Sequence, residues 1–106
     1  MAAPLGEFEL LVLMAVLRLG GEAYPPGVRA ELEQRTSRAV SRGAVYITLD
    51  RLESKGLLGS KLAAADDGGR QRRYYHVSAR GRRAIKRALS ALEQMREGIE
   101  PLLGKA

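Results

Sequence analysis

The sequence predicts a mainly α-helical chain that carries one small β-hairpin and ends in a long helix. Three observations predict it. In the stretch Ser41 to Leu58, Val45, Leu49 and Leu52 recur at spacings of four and three, which stacks them on one side of a helix. Leu58, Ser60 and Leu62 alternate with Gly59 and Lys61, and Arg73 to Val77 alternates again beyond the glycine-rich run Ala63 to Gly69, the pattern of two strands about a turn. From Ala79 to about Leu103, Ile85, Ala88 or Leu89, Leu92, Met95, Ile99 and Leu102 keep an average spacing close to 3.5, the period of a helix made to pair.

Taken in order, Glu7 to Leu19 reads as a first helix, apolar almost all round through Phe8, Leu10, Leu11, Val12, Leu13, Met14, Val16 and Leu17. A helix of that composition is buried on more than one side, and a second copy of the chain is one way to cover it. Gly20 and Gly21 stop it, because glycine takes the positive φ of a helix end at little steric cost. Tyr24-Pro25-Pro26-Gly27 is a turn. Pro26 suits the first turn of a second helix running to about Arg35, with Val28 and Leu32 inward and Arg29, Glu31 and Glu33 outward. Thr36 to Val40 then make a short connection of helix-turn-helix length. Ser41 is the expected N-cap of the third helix and Gly56 its left-handed stop. Ser78 is the expected N-cap of the last helix, whose final turns Gly98 and Pro101 weaken to a fray or a kink. With 106 residues the chain suits one structural unit, divided functionally into residues 1–77, with the helices and hairpin, and residues 78–106, the pairing helix.

Composition narrows the chemistry. The absence of cysteine removes disulfides, thiolate metal sites and cysteine catalysis together, and the single histidine, His76, reads as a strand surface residue. No nucleophile triad order or phosphate-loop motif occurs, so neither an enzyme nor a bound cofactor is expected. Asp66-Asp67 lies in a loop without a second ligand cluster, which argues against a calcium or magnesium site. The apolar run Leu10 to Leu17 is too short to cross a bilayer. It follows Glu7 and Glu9 where an export signal carries positive charge, so no membrane partner is expected and the cytoplasm is the expected compartment. The net charge is +6, and its distribution says more than its size. From Arg70 to Arg87 the chain holds Arg70, Arg72, Arg73, Arg80, Arg82, Arg83, Lys86 and Arg87 with no acid among them. Clustered cations of this kind suit a nucleic-acid backbone, where binding releases condensed counterions.

The order helix, helix, helix, basic two-stranded wing and long helix is that of a winged helix-turn-helix protein with a dimerisation helix. Three stretches, LGEFELLVLMAVLRLGGEAY, VSRGAVYITLDRLESKGLL and GGRQRRYYHVSARGRRA, resemble the PadR family of bacterial transcriptional regulators in its small form with one C-terminal helix. The resemblance implies that the third helix enters the major groove of double-stranded DNA, and by motif position it assigns DNA contact to Ser41, Arg42, Gly43 and Tyr46. It implies that the wing basics reach the flanking backbone or minor groove, and that the last helix pairs across a homodimer. Many members respond to small phenolic or drug-like compounds, so it also admits a small-molecule effector. Two departures stand out. Pro25 and Pro26 occupy positions where the family usually has a glycine and a large apolar residue, and the chain has none of the tryptophan that some drug-binding members use.

The residues themselves leave some roles open. Tyr46 sits about a quarter turn from the Val45 stripe, which suits a hydroxyl-to-phosphate bond better than a core ring. Gly43 opposite that stripe is either a simple helix weakener or a site of close approach to DNA. Ile47 is either a surface apolar residue or a contact to a thymine methyl. Arg42 and Arg51 are either solvated or engaged, Arg42 with a base and Arg51 with a neighbouring acid. Arg70, Arg72 and Arg73 are either a solubilising loop or phosphate contacts, and their place beside the third helix favours the latter. Arg80 to Arg87 spread over several faces of a helix, so only some can meet one duplex. Of Tyr74 and Tyr75, one is expected in the core and one outside. The reading is a homodimeric, sequence-specific regulator, expected to repress, on a pseudo-palindromic site. Its alternative is a dimeric winged-helix ligand-binding or protein-interaction module without specific DNA binding.

Overall fold

The structure, a computed structural model, describes residues 5–64 and 68–104. Helices α1 (Glu7–Leu19), α2 (Pro25–Thr36) and α3 (Arg42–Ser54) are followed by strands β1 (Leu58–Ala64) and β2 (Gln71–Val77) and by helices α4 (Ala79–Arg96) and α5 (Glu100–Leu103). This confirms the mainly α-helical reading with one antiparallel hairpin and a C-terminal helix. The Asp66-Asp67 pair lies outside the described residues.

Each helix of the three-helix core contributes one apolar stripe. Val12, Leu13 and Val16 of α1, Val28 of α2 and Val45, Leu49 and Leu52 of α3 are fully buried together. Each such side chain contributes about 1.5–3 kcal/mol through its removal from water. Thr48, which the spacing argument did not include, joins Val45 and Leu49 on the buried side of α3. α2 begins at Pro25, which is buried at its first position, and Pro26 at its second lies in the first turn as expected. Both prolines are tolerated there because the first N–H groups of a helix have no intrahelical partner. Tyr24 before them is extended, at φ −118° and ψ 161°, as a residue preceding proline must be.

The polar residues of α2 depart from expectation. Arg29, Glu31 and Glu33 are half-buried rather than outward. Arg29 Nε donates to the Val40 carbonyl at 2.7 Å, and the Val40 N–H donates to Glu33 Oε2 at 3.0 Å. These two bonds tie the α2–α3 connection back onto α2. Glu9 is buried as well: its Oε1 accepts from the Gly6 N–H at 3.0 Å, and Oε2 meets Lys55 Nζ at 2.8 Å. That pair joins the start of α1 to the end of α3.

Ser78 and Gly81 lock α4 to the hairpin. The Ser78 hydroxyl donates to the Gly56 carbonyl at 2.7 Å and accepts from the Gly81 N–H at 3.0 Å. A Cβ on Gly81 would lie 2.2 Å from the Leu57 carbonyl oxygen, so only glycine fits. Gly56 itself has φ +78°, the left-handed helix stop expected of it. In the hairpin, Leu58 faces Val77 and Ala64 faces Gln71. The Tyr75 N–H donates to the Ala23 carbonyl at 2.7 Å, fastening the base of β2 to the α1–α2 connection.

Three expectations need correction. Leu62 does not share the core, being 53% exposed, because the hairpin has left the helices by that point. Ile85, expected on the intersubunit stripe, is 5% exposed in the protomer's own core with Gly81 and Ala84, since the first two turns of α4 still lie over α1 and β2. The last helix does not run to Leu103. It ends at Arg96, Gly98 takes φ +75°, and Pro101 falls in the first turn of the separate α5. Beyond Ala88, which still packs against the core, α4 projects from it. The radius of gyration of 15.7 Å accordingly exceeds the about 13 Å of a compact chain of this length.

Gly81→Ala is expected to destabilise the fold by about 1–3 kcal/mol, read from denaturant unfolding, because the methyl group must displace the Leu57 carbonyl. The Glu9 carboxyl is held below its ordinary value, chiefly by the hydrogen bond from Lys55, with the Gly6 N–H and the Lys55 and Arg51 charges assisting and burial opposing. A depressed folded-state value contributes stability above the unfolded carboxyl range, and that stability is lost as pH falls through the folded value. The melting temperature is therefore expected to fall below about pH 4.3 more steeply in the parent than in Lys55→Met.

Candidate nucleic-acid interface

The outward side of α3 follows from the burial of its other side. Ser41 caps the helix, its Oγ accepting from the Ala44 N–H at 3.1 Å, which leaves Arg42 and Gly43 exposed in the first turn. Tyr46 is 41% exposed and Ile47 59%. The Arg42 guanidinium lies 5.9 Å from the centre of the Tyr46 ring, one helical turn away. A Cβ on Gly43 would meet nothing within 4 Å, so packing within the protomer does not require glycine there. Asp50 and Arg51 continue the exposed face toward the C-terminal end of the helix.

The wing arginines do not form one cluster. Strand alternation sends neighbours to opposite faces, and the register sets Arg73 across from Leu62 and Arg72 across from Ala63. Arg73 shares its face with Ser60, Tyr75 and Val77. Its Nη1 donates to Ser60 Oγ at 2.9 Å, and Ser60 Oγ donates to Glu53 Oε2 of α3 at 2.6 Å. Arg72 is half-buried on the other face, its guanidinium 4.8 Å from the centre of the Tyr24 ring, which in turn lies 5.8 Å from the Tyr74 ring. Arg70 is exposed at the end of the hairpin.

Tyr75 is the core tyrosine of the pair and Tyr74 the half-buried outer one. Burial first, then the charges of Asp50 and Glu53 and the nearby Tyr46, push the Tyr75 phenol above its ordinary value, while Arg73 opposes the rise. Tyr75 therefore stays a neutral phenol at physiological pH where the wing meets α3. Tyr24, Glu53, Ser60 and Tyr75 were not singled out as site residues from the sequence. Period-two alternation in Arg72 to Val77 is the signal that separates the two arginines, because Tyr75 and Val77 mark the inner face.

Along α4 the exposed apolar residues are Leu89, Leu92 at 57% and Met95 at 77%, with Leu102 and Leu103 exposed on α5 and Ile99 half-buried between them. Nothing in the protomer covers this stripe among the described residues. No helix of the described residues is long and apolar enough to cross a membrane, and no group of three acidic or histidine side chains is placed to hold a metal ion among them.

Three helices, an antiparallel wing packed beside the third and an appended helix make this a winged helix-turn-helix protein. The chain belongs to the PadR-like family of transcriptional regulators, whose family model matches residues 13–87, and members of that family are regulators rather than enzymes. It is 44% identical over 69 residues to the transcriptional regulator Rv3488 of Mycobacterium tuberculosis, a match covering 62% of this chain and 63% of that relative, so it spans less than two thirds of the relative's length. Among solved structures, a PadR family transcription regulator from hypervirulent Clostridium difficile shares the fold at a TM-score of 0.80 and 21% identity, over 93% of this chain and 100% of the other. A PadR-like transcriptional regulator from Bacillus cereus does so at 0.79 and 21%, over 93% of each.

Arg72→Ala is expected to lower stability by about 0.5–1 kcal/mol through loss of the guanidinium over Tyr24, whereas Arg70→Ala leaves it unchanged. Paired denaturant unfolding curves check the difference.

Proposed function

We propose that this chain is a homodimeric, cytoplasmic, sequence-specific repressor that reads a pseudo-palindromic operator in double-stranded DNA. One observation carries the reading: an exposed α3 face made of Arg42, Gly43, Tyr46 and Ile47 stands beside a wing whose Arg73 lies on the side turned to that helix. In the proposed complex, α3 lies in the major groove. The Gly43 backbone approaches closely for want of a side chain, the Tyr46 hydroxyl donates to a phosphate, Ile47 meets a thymine methyl, and Arg42 reaches a base edge. Ser41 caps the helix at the groove, and Arg70 and Arg73 neutralise flanking phosphates. Arg72, whose guanidinium lies over the Tyr24 ring on the outer face of the wing, is the third proposed phosphate contact.

Leu89, Leu92, Met95, Ile99 and Leu102 are the proposed seam with a second copy, since the exposed Leu89, Leu92, Met95 and Leu102, with the half-buried Ile99 between them, leave an apolar stripe that pairing would remove from water. Binding of a small-molecule effector belongs to the same reading. The open groove of about 200 Å³ bordered by Phe8, Leu11, Leu32, Val40 and Ser41 offers a place next to the cap of α3.

Selection from a random duplex pool is expected to return inverted repeats with half-site centres about 10–10.5 base pairs apart or a multiple of that. Against the selected duplex, Tyr46→Phe is expected to weaken binding about fivefold, equivalent to about 1 kcal/mol for one hydrogen bond. Leu92→Glu with Met95→Glu is expected to yield a monomer by sedimentation and to lose the preference for the paired site. A pool that returns no common sequence would overturn the reading.

A further inference from the structure

Glu53, Ser60 and Arg73 come from three different elements, the last turn of α3, β1 and β2, and form one continuous hydrogen-bonded chain. The geometry has a direction. Ser60 has a single O–H, and donating it to Glu53 Oε2 at 2.6 Å turns its lone pairs toward Arg73, whose Nη1 donates to them at 2.9 Å. Glu53 and Ser60 are half-buried while Arg73 is exposed, so the chain starts inside the α3–wing junction and ends at its surface. The guanidinium carries five N–H donors, and the Ser60 bond uses one of them.

The surroundings explain why such a tether matters. Asp50 and Glu53 put negative charge on α3 beside Tyr75, and Arg73 is a cation acting on the same phenol. An arginine swinging freely on the wing would leave that acidic edge of α3 to face a polyanion. Held at the junction, it offsets the acids where the helix and the wing meet.

We propose that Ser60, oriented by Glu53, is a positioning residue that presents Arg73 to a backbone phosphate at the α3–wing junction, so that recognition helix and wing dock as one rigid unit. The inference rests on the DNA-binding reading above and goes beyond it by giving function to two residues that touch no DNA. It also separates the two neighbouring arginines, since Arg73 is presented by this chain while Arg72 lies over Tyr24 on the opposite face.

A double-mutant cycle on the full chain, with the duplex selected from the random pool as probe and affinity measured across a salt series, tests it. Arg73→Ala is expected to reduce the magnitude of the salt slope by about 0.9, the loss of one phosphate contact. Ser60→Ala is expected to weaken binding about fivefold and to lower the slope toward that of Arg73→Ala, yet to add nothing in the Arg73→Ala background. Ser60→Thr, which keeps the hydroxyl, is expected to bind like the parent. Thermal melts of each variant separate loss of fold from loss of positioning. If Ser60→Ala weakened binding equally in both backgrounds, or left the salt slope at the parent value, the tether would be overturned while DNA binding stood. If the parent bound no duplex, the functional reading would fall and the tether with it.

Discussion

Gly81 meets the Leu57 carbonyl with no room for a methyl group, while the neighbouring Ser78 hydroxyl is spent on Gly56 and on the first turn of α4. This contact sets the angle at which α4 leaves the core. It also sets where the hairpin begins, because Leu57 and Leu58 must stay buried on the core side while β1 starts outward. The direction of the wing and the direction of the projecting helix are therefore one geometric decision. α3 is drawn into it through Gly56, whose left-handed backbone ends that helix and starts the turn.

On this frame the outward face of α3 and the inner face of the wing share a single edge. Tyr75 lies along it, its ring in the core and its phenol under the influence of Asp50 and Glu53 from α3. The outer face of the wing has a different neighbour: Tyr74, Tyr24 and Arg72 stack toward the start of α2. A ribbon two residues wide thus carries two chemistries back to back. The chain belongs to a family of transcriptional regulators, and its two neighbouring wing arginines lie on opposite faces of the ribbon.

Local patterns were legible in the sequence because they repeat within a turn or two. The Val45, Leu49 and Leu52 stripe, the Ser41 and Ser78 caps and the Gly56 stop all stand where their spacing placed them. Long-range pairings were not legible: Glu9 and Lys55 are 46 residues apart, and nothing in either neighbourhood announces the other. Ile85 misled because the stripe of α4 passes from the protomer's own core into open solvent without a change of residue type. Leu62 misled for the opposite reason, since the strand keeps its alternation after it has left the helices it was expected to pack on. Strand alternation did hold the clue that Arg72 and Arg73 part company, but charge counting along the chain hides it.

The hydrogen bond from the Tyr75 N–H to the Ala23 carbonyl gives the wing a mechanical character. It holds the base of the ribbon at Tyr75, and Tyr24 one residue beyond Ala23 takes the Tyr74 ring and the Arg72 guanidinium, so one short connection grips β2 both by its backbone and by its outer face.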